Sequence, residues 1–482
     1  MPDTFYWHDY ETFGANPSRD RPVQFAGLRT DAELNVIGAP LVMYCRPAND
    51  YLPHPQACLI TGITPQKALA EGLPECEFIA RIHRELATPG TCGVGYNSLR
   101  FDDEITRHTL YRNFFDPYAR EWQNGNSRWD IIDMVRTACA LRPEGIAWPS
   151  REDGLPSFRL EDLTRANGIN HAAAHDALSD VHATIALARL IRERQPRLYE
   201  YVLQSRDKRW VSAQLDIAAM KPVLHVSGMF GASRHNIALV VPLAAHPSNR
   251  NEIICYDLNA DPQALFDLPV AQLQELLYTR SDALPPGTDR LGIKSVHLNR
   301  CPVLLTPKMA DPATAQRLGI SGELCRKHLL ALRAYRDRDA AQFTAKVQTV
   351  VAGRTFPASS DPDLMLYSGG FFSEHDKRTL ERVRAQTPDE LASATFVFED
   401  RRLPQMLFRY RARNYPGSLT EEEHATWEDY RFQRLTEPEF GAGYCMEAFQ
   451  ADIEALLAGG ELTEQQQHLL EQLQDYADSL LA

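Results

Sequence analysis

Two carboxylates, Asp9 and Glu11, stand two residues apart near the amino terminus. In a β-strand, side chains at positions i and i+2 point to the same face, so a strand through this stretch would place both carboxylates side by side. Adjacent carboxylates repel each other unless a cation lies between them, and oxygen ligands of this kind suit Mg²⁺ or Mn²⁺. The pair therefore indicates a metal site, although a solvated strand edge would show the same pattern.

A second acidic group, at Asp102, Asp103 and Glu104, follows a turn that contains glycine and asparagine. Acidic side chains in the first turn of a helix accept hydrogen bonds from unpaired backbone N–H groups, which gives Asp103 and Glu104 a structural interpretation. Asp102 comes directly after Phe101, and an anchored aromatic ring could hold it at the carboxyl end of a strand, where open α/β sheets bind ligands. Asp102 is therefore the third candidate ligand.

A third group consists of His175 and Asp180, next to a segment with a helical apolar stripe. If both residues were helical, they would point about 140° apart and could not share a site. We therefore expect His175 in the loop before the helix and Asp180 inside the helix, so that the histidine reaches over a metal that the aspartate binds. A lone histidine near a helix start also occurs for structural reasons alone.

The elements that must position these groups lie in residues 1–196, where strand and helix patterns alternate as in an α/β domain. Strands are predicted over residues 4–10, 24–30, 36–45 and 91–96, and a helix over 180–194. From 197 to 354 the pattern is typical of a small barrel or a mixed α+β module. Its short β runs lie at 223–227, 237–242, 252–258 and 295–305.

Residues 355–362 have the composition of a linker, and the segment 355–482 is predicted to be all-helical. Helix starts with capping signatures support this prediction. They occur at Ser373 with Asp376, Thr420 with Glu423 and Thr463 with Gln466. We thus expect a multidomain α/β protein with domains at 1–196, 197–354 and 355–482.

The composition is that of a globular protein, with 482 residues, 44% hydrophobic and 24% charged side chains. Apolar runs are too short for a membrane helix, the amino terminus lacks the pattern of a secretory signal, and the nine scattered cysteines contain no CxxC pair. These features predict a cytoplasmic protein with reduced thiols and no membrane contact. The net charge of −13 argues against a nucleic-acid partner, but residues 201–350 carry 18 basic and 13 acidic side chains, which is either a basic surface or an ordinary fluctuation.

The ordered set Asp9, Glu11, Asp102, His175 and Asp180 resembles the DEDD exonuclease superfamily in its histidine-containing branch. That branch carries Asp-x-Glu on the first strand, a second aspartate after Asn-x-x-x-Phe, and His-x-x-x-x-Asp on a late helix. Over essentially the whole chain the sequence is similar to the bacterial exodeoxyribonuclease I family. The stretches that carry this similarity are HDYETFG at 8–14, LITGITP at 59–65, SRWD at 127–130, LRPEG at 141–145, LPSFRL at 155–160, ANGI at 166–169, KPVLHVSGMFG at 221–231 and YRARN at 410–414.

The resemblance implies an RNase H-like nuclease domain at 1–196, an SH3-like barrel domain at 197–354 that closes a basic groove, and a helical C-terminal domain at 355–482. It implies processive 3′-to-5′ degradation of single-stranded DNA to 5′-mononucleotides, in DNA repair and recombination. Hydrolysis would use two Mg²⁺ ions, for which Mn²⁺ could substitute, with His175 orienting or deprotonating the attacking water. The ions would be held by Asp9, Glu11, Asp102 and Asp180.

Further positions match the substrate and partner contacts of that family. Glu11 and Thr12 match contacts with the terminal 3′ hydroxyl, and Arg142 matches a contact with the acidic carboxyl terminus of single-strand DNA-binding protein. Each DNA-contact position also has a structural interpretation, as a surface ion pair or, for Tyr118 and Trp122, as core positions of one helix. The DNA-contact positions are Arg107, Tyr118, Trp122, Arg136, Arg159, Lys208, Lys294 and Asn299. The family expectation is a monomer.

Two other interpretations are open. Another histidine-type DEDD enzyme, a proofreading subunit or an RNA-trimming 3′ exonuclease, would carry the same carboxylates, although residues 197–482 and their motifs argue against it. A non-catalytic single-strand-binding or scaffold protein could keep the fold, but a degenerate site is expected to lose at least one carboxylate or His175. Competition between DNA and RNA substrates would distinguish the first alternative from a DNA exonuclease. Metal-dependent turnover would distinguish the second alternative from an active enzyme.

Overall fold

The computed structural model describes residues 3–171, 175–280, 283–285, 287–353, 359–438, 440, 443–460 and 462–481. Contacts divide the chain into two units, the first formed by 1–127, 171–185 and 358–482 and the second by 128–170 and 186–357. Segments far apart in sequence therefore build the first unit together. Residues 355–358 of the predicted linker lie outside the described residues, and the three predicted domain boundaries stay predictions.

The first strand, β1 (Thr4–Thr12), carries alternating side chains of which Phe5 and Trp7 are fully buried. It pairs antiparallel with β2 (Pro22–Thr30) and parallel with β4 (Thr91–Gly95), and β2 pairs antiparallel with β3 (Val36–Tyr44). With β5 (Ser127–Asp130) the sheet has the order β3-β2-β1-β4-β5. Because β1 runs two residues beyond its predicted end, Glu11 lies in the same strand as Asp9.

The helices in the first 213 residues lie between and after these strands in the chain. They are α1 (Pro55–Thr61), α2 (Pro65–Glu71), α3 (Glu75–Leu86), α4 (Asp102–Arg112), α5 (Ile132–Leu141), α6 (Leu160–Ala166), α7 (Ala177–Arg194), α8 (Pro196–Leu203) and α9 (Lys208–Ala213). The predicted helix at 180–194 is confirmed and begins three residues earlier, at Ala177.

The middle of the chain contains a second five-stranded sheet, which is antiparallel throughout and has the order β10-β6-β7-β8-β9. Its strands are β6 (Val223–Val226), β7 (Ile237–Ala245), β8 (Glu252–Asp257), β9 (Ile293–His297) and β10 (Val303–Leu305). The helices of this part are α10 (Gln263–Asp267), α11 (Val270–Tyr278), α12 (Pro312–Arg317), α13 (Gly322–Arg338) and α14 (Ala340–Ala352). A mixed barrel-like module was expected here, and the sheet with its helices agrees with it.

The predicted strand over residues 295–305 is wrong as a single strand. β9 ends at His297 and β10 begins at Val303, and the turn between them contains Cys301 with a φ of 47°. β9 pairs with β8 whereas β10 pairs with β6, so the two strands lie at opposite edges of the sheet. A β-rich composition predicts extended backbone but does not indicate where the pairing partner changes.

The described residues from 359 onward contain helices and turns, as predicted. The helices are α15 (Glu374–Ala385), α16 (Pro388–Ser393), α17 (Leu403–Asn414), α18 (Glu421–Thr436), α19 (Met446–Ala458) and α20 (Glu464–Leu481). The three predicted caps are confirmed: Ser373 and Thr420 accept hydrogen bonds from the backbone N–H three residues later, and Thr463 does the same with Gln466. Across the described residues, every helix is too short or too polar to cross a lipid bilayer.

The carboxyl-terminal helices share a core with the first part of the chain. Phe13, Val23 and Leu52 belong to the same buried cluster as Phe449 and Leu473. A second cluster joins α4 to α15 and α17. These shared cores explain why segments separated by more than two hundred residues form one unit.

Candidate active site

The first strand places Asp9 and Glu11 on one face, in the register that their spacing predicts. In the antiparallel pairing with β2, Asp9 lies opposite Ala26 and Glu11 lies opposite Gln24. Glu11 is buried, with 8% of its surface exposed, and Asp9 is half-buried. Carboxylates at this depth require a cation or a proton, because an unpaired buried charge is costly.

Asp102 is held beside the same strand by a backbone contact. Its Oδ1 accepts a hydrogen bond from the backbone N–H of Tyr10 at 3.1 Å. Thr106 Oγ1 donates to the backbone carbonyl of Asp102 at 2.8 Å and lies 3.0 Å from the Tyr10 hydroxyl. Asp102 is the first residue of α4, whereas β4 already ends at Gly95, so a helix start and not a strand end positions this carboxylate.

The start of α7 brings a histidine and an aspartate to the carboxylates. His175 lies in the turn before the helix, with a φ of 66°, and Asp180 lies in its first turn, as predicted. Ligand atoms of Glu11, His175 and Asp180 all lie within 4.8 Å of one another. His175 is exposed and Asp180 is half-buried, so this group opens toward solvent on the histidine side.

Gln24 on β2 fastens the start of α7 to the sheet. Its Nε2 donates to Asp176 Oδ1 at 3.1 Å, and its Oε1 accepts from the backbone N–H of Ala177 at 3.3 Å. Gln24 also lies opposite Glu11, so one residue ties the helix that bears Asp180 to the strand pair that bears the carboxylates. The sequence analysis missed Gln24, and the signal for it was the strand register that pairs residue 24 with residue 11.

His171 is a second residue that the sequence analysis missed. Its Nε2 is hydrogen-bonded to Asp180 Oδ1, and 4% of its side chain is exposed. His171 therefore orients the aspartate from the side, while the exposed His175 remains next to Glu11. Two histidines within five residues, at 171 and 175, were the available signal.

The carboxylates raise one another's pKa. Burial, followed by the charges of Asp102, Glu11 and Asp180, holds the pKa of Asp9 well above its usual range. Burial and the charges of Asp180 and Asp176 raise the pKa of Glu11 to about 8. Burial also raises the pKa of Asp180, against the opposing effect of the two histidines. These shifts are typical of a site whose carboxylates share a cation when charged.

The donor set fits divalent metal ions that prefer oxygen. Glu11 and Asp180 are clustered, Asp9 on β1 is close enough to both to interact with their charges, and Asp102 is held beside β1. These carboxylates supply hard oxygen ligands, which suit Mg²⁺ and Mn²⁺. A bound cation would offset both the burial and the repulsion that raise the pKa of Asp9 and Glu11.

Replacing Glu11 by glutamine is expected to stabilise the metal-free protein at pH 8. The pKa of this carboxyl rises from 4.5 to about 8 on folding. The folded protein therefore retains a proton that the unfolded chain releases, and the free energy of unfolding falls as pH rises from about 5 to about 8. Removing this penalty should add about 2–4 kcal/mol at pH 8, or several degrees in the thermal midpoint, measured by melting in EDTA at pH 6 and pH 8.

Glu33→Gln provides the matched control, because Glu33 is an exposed carboxylate in the loop between β2 and β3. Its melting temperature should follow that of the wild type at both pH values. Added Mn²⁺ should raise the midpoint of the wild type more than that of the Glu11 variant. A Glu11→Gln variant that melts at or below the wild type in EDTA at pH 8 would contradict the assignment of a repulsive cluster.

Asp103 and Glu104 form ion pairs and do not act merely as helix caps. Arg120 Nη2 donates to Asp103 Oδ1 at 2.6 Å, and both side chains are buried. Arg107 Nη1 donates to Glu104 Oε1 at 2.8 Å, and Arg107 Nε donates to Glu121 Oε1 at 2.7 Å. The first turn of α4, which carries Asp102, is therefore anchored by two arginines from outside its own turn.

Tyr118 and Trp122 do not lie on one helix, so the interpretation of their spacing as core positions is wrong. They flank a single 3₁₀ turn, and Trp122 is 65% exposed. Tyr118 is half-buried, and Cζ of Arg107 lies 5.4 Å from the centroid of the Tyr118 ring. Two aromatic residues that the sequence analysis missed lie beside Tyr118: Tyr367, which is 59% exposed, and Phe371, which is 87% exposed. Their ring centroids lie 6.5 and 6.0 Å from that of Tyr118, and we call these three rings the aromatic patch.

The remaining predicted contacts lie in the second unit. Arg136 is paired with Asp133 at 2.7 Å, and Arg159 is 70% exposed beside Glu161. Arg142 Nη1 donates to the carbonyl of Met309 at 3.3 Å. The other three are the exposed Lys208, hydrogen-bonded to Asn251, the half-buried Lys294, 3.4 Å from Ser227 Oγ, and the exposed Asn299, whose carbonyl accepts from Arg128 at 3.0 Å.

Three family models match consecutive parts of the chain. The model described as exonuclease matches residues 6–188, the exonuclease I SH3-like domain matches 206–351, and the exonuclease I C-terminal domain matches 360–480. The first match contains every residue of the carboxylate and histidine cluster. The match of the second confirms the SH3-like character expected for the middle of the chain.

Individual proteins agree with these models. Exodeoxyribonuclease I of Escherichia coli (strain K12) is 50% identical over 445 residues, which is 92% of either chain. The structure of a moderately thermophilic exonuclease I from Methylocaldum szegediense superimposes with a TM-score of 0.94, at 52% identity, over 99% of this chain and 100% of that one. The zinc-bound complex of E. coli exonuclease I with single-stranded DNA gives a TM-score of 0.93 at 47% identity over both full chains.

Proposed function

This chain belongs to the exodeoxyribonuclease I family and is a nuclease, and from that premise we propose that it degrades single-stranded DNA processively from the 3′ end. The products would be 5′-mononucleotides. The observation that carries the proposal is the convergence of Glu11, His175 and Asp180 within 4.8 Å, inside the segment that matches the exonuclease model. The single-stranded DNA bound to the E. coli relative supports the substrate class.

Asp9, Glu11, Asp102 and Asp180 would hold two divalent ions, Mg²⁺ by preference and Mn²⁺ as a substitute. The zinc bound to the E. coli relative supports the use of divalent metal. Such ions make a water molecule more acidic and neutralise charge that develops on the phosphate. His175 accepts the proton of the attacking water, and its place in the exposed turn before α7 leaves it open to solvent. The oxygen of that water bonds to phosphorus, and the bond from phosphorus to the 3′ oxygen of the preceding nucleotide breaks. The leaving oxygen takes a proton from solvent and becomes the new terminal 3′ hydroxyl.

Glu11 and Thr12 would contact the 3′ hydroxyl of the terminal nucleotide. Thr12 Oγ1 donates its own proton to the carbonyl of Gly14 at 2.6 Å. The hydroxyl oxygen of Thr12 is therefore left with lone pairs that can accept a hydrogen bond from the 3′ hydroxyl. This arrangement favours a free strand end over an internal phosphate.

The aromatic patch of Tyr118, Tyr367 and Phe371 would stack unpaired bases, and so would the exposed Trp122 at the end of the same 3₁₀ turn as Tyr118. Every base can stack in this way, because stacking does not read its hydrogen-bonding edge. Cations along the strand would contact its phosphates. Arg107 supports the patch from beneath, since it lies against Tyr118 and donates to the Tyr367 hydroxyl at 3.1 Å. The proposed cationic and polar contacts are Arg107, Arg136, Arg159, Lys208, Lys294 and Asn299.

Trp122→Ala should weaken binding of single-stranded DNA about tenfold, since stacking contributes about 1–3 kcal/mol per base. KM should rise while kcat at saturating substrate changes little, because Trp122 is an exposed ring at the end of a 3₁₀ turn and is not one of the residues proposed to hold the metal ions. Trp122→Phe retains a stacking ring and should recover most of the affinity. Fluorescence anisotropy with a labelled oligonucleotide measures the affinity of both variants. Equal affinity of the alanine variant and the wild type would show that Trp122 does not contact the substrate.

The substrate class is tested by a time course on 5′-labelled strands of one sequence as single-stranded DNA, duplex DNA and RNA. Each is followed in Mg²⁺ and then in excess chelator. We expect only the single-stranded DNA to shorten, and only in Mg²⁺. Faster shortening of RNA would favour the RNA-trimming alternative, and binding without shortening would favour the scaffold alternative.

The cellular setting follows from family membership as a proposal. The enzyme would act in the cytoplasm, as a monomer, in DNA repair and recombination. Arg142 would contact the acidic carboxyl terminus of single-strand DNA-binding protein. The nuclease, SH3-like and helical domains would span 1–196, 197–354 and 355–482.

A further inference from the structure

The loop between β6 and β7 projects an apolar side chain that the proposed function does not use. Met229 in this loop is 59% exposed. Its backbone N–H donates to Ser227 Oγ at 3.3 Å, inside a 3₁₀ turn over Gly228–Phe230. The loop belongs to the stretch 221–231, which carries part of the resemblance to the family.

Two glycines fix the conformation of this loop. A Cβ on Gly228 would lie 3.0 Å from Nη2 of Arg136, so the guanidinium packs closely against the backbone of this glycine. Gly231 has a φ of 79°, a left-handed conformation that side chains disfavour. The loop therefore turns tightly and leaves the Met229 side chain exposed.

Two cations contact residues that neighbour Met229 in the chain. Arg136 lies against Gly228, and Lys294 Nζ lies 3.4 Å from Ser227 Oγ and 5.4 Å from the Phe230 ring centroid. Both cations are among the positions proposed to contact phosphates. The Phe230 ring is half-buried beneath them and also lies 5.5 Å from Arg234, so it supports the loop.

We propose that Met229 contacts the face of an unpaired base of the strand whose phosphates lie at Arg136 and Lys294. A thioether side chain is polarizable and flexible, so it packs against any base without reading its hydrogen-bonding edge. Only an unpaired base exposes its face to such a side chain, since the bases of a duplex are stacked inside. Met229 is thus a specificity residue for single strands of any sequence. This inference rests on the proposed function and adds a substrate contact to it.

The test uses the full chain with Asp180→Asn, so that DNA is bound and not degraded. Met229→Ala is expected to weaken binding of a single-stranded oligonucleotide about fivefold, and Met229→Leu to restore it within about twofold. Leu330→Ala is the matched control, because Leu330 is 57% exposed on α13 in the same unit. Its binding should equal that of the Asp180→Asn parent.

Two further measurements identify the contact as one with a base. The slope of log affinity against log salt should be unchanged in Met229→Ala, whereas Arg136→Ala or Lys294→Ala should reduce it by about one. A series of oligonucleotides carries a single abasic site at successive positions along the strand. At one of these positions, Met229→Ala and its parent should bind with equal affinity.

Undiminished binding by Met229→Ala, an equal loss in Leu330→Ala, or a loss that persists at every abasic position would overturn this inference alone. A parent that binds no single-stranded DNA would overturn the proposed function and this inference together. DNA binding by the parent protein therefore distinguishes the two failures.

Discussion

Asp180→Asn is expected to reduce the rate of nucleotide release by at least a thousandfold, which is about 4 kcal/mol of transition-state stabilisation. Asp180 lies within 4.8 Å of Glu11 and His175, so its loss removes a ligand from the centre of the proposed metal site. Binding of single-stranded DNA should stay within about threefold, because the cations and aromatic rings that contact the strand are unchanged. Asp9→Asn should behave in the same way. Quenched-flow assays and anisotropy measure the two quantities separately.

Asp176→Asn is the control for this prediction, because it makes the same charge change at the start of the same helix. Both oxygens of Asp176 already accept hydrogen bonds, Oδ1 from Gln24 and Oδ2 from the backbone N–H of Ser179 at 3.2 Å. Its activity should fall less than tenfold. Near-normal hydrolysis by Asp180→Asn, or an equal loss in both variants, would mean that the metal ligands are assigned wrongly.

Asp50→Asn is expected to destabilise the protein by about 3 kcal/mol, because it removes a buried carboxylate that two buried arginines share. Asp50 is fully buried, and Arg413 Nη2 donates to its Oδ2 at 2.8 Å while Arg434 Nε lies 3.4 Å away. Arg413 also pairs with Asp363 at 2.8 Å. These contacts join the first part of the chain to the carboxyl-terminal helices. Chemical denaturation at pH 7, followed by circular dichroism, measures the change.

The charged network also sets the acid limit of stability. The two arginines hold the pKa of Asp50 well below its usual range, against the effect of burial. The stabilisation is therefore present above the ordinary carboxyl pKa of about 4 and is lost as pH falls below it. Asp153→Asn, at an exposed ion pair with Arg151, is the control and should unfold at the same denaturant concentration as the wild type. An Asp50 variant as stable as this control would contradict the role of the network.

Local patterns predicted the parts of the site that depend on local geometry. The two-residue spacing of Asp9 and Glu11 predicted a shared strand face, and the helical geometry placed His175 in a loop before Asp180. Both placements depend only on the chain's own periodicity, which the sequence displays directly. Thr420 with Glu423 likewise predicted a helix start, because a capping box is complete within four residues.

The features that the sequence did not predict depend on partners far away in the chain. Gln24 reaches Asp176 only because β2 lies beside α7, and Asp50 meets Arg413 across 363 positions. No local pattern marks either pair. The spacing of Tyr118 and Trp122 was misleading for a related reason, since a helical interval also occurs across a turn whose ends are fixed by other contacts.

We propose that Asp9, Glu11, Asp102, His175 and Asp180 together hydrolyse the 3′ end of single-stranded DNA with divalent metal. The most direct measurement is single-turnover release of label from a strand labelled at its 3′-terminal nucleotide, beside the same strand labelled at its 5′ end. We predict that the 3′ label appears as a 5′-mononucleotide in the first turnover, in Mg²⁺ but not in excess EDTA, and that the 5′ label is released last. Release of the 5′ label first, or undiminished release in EDTA or by Asp180→Asn, would contradict this account.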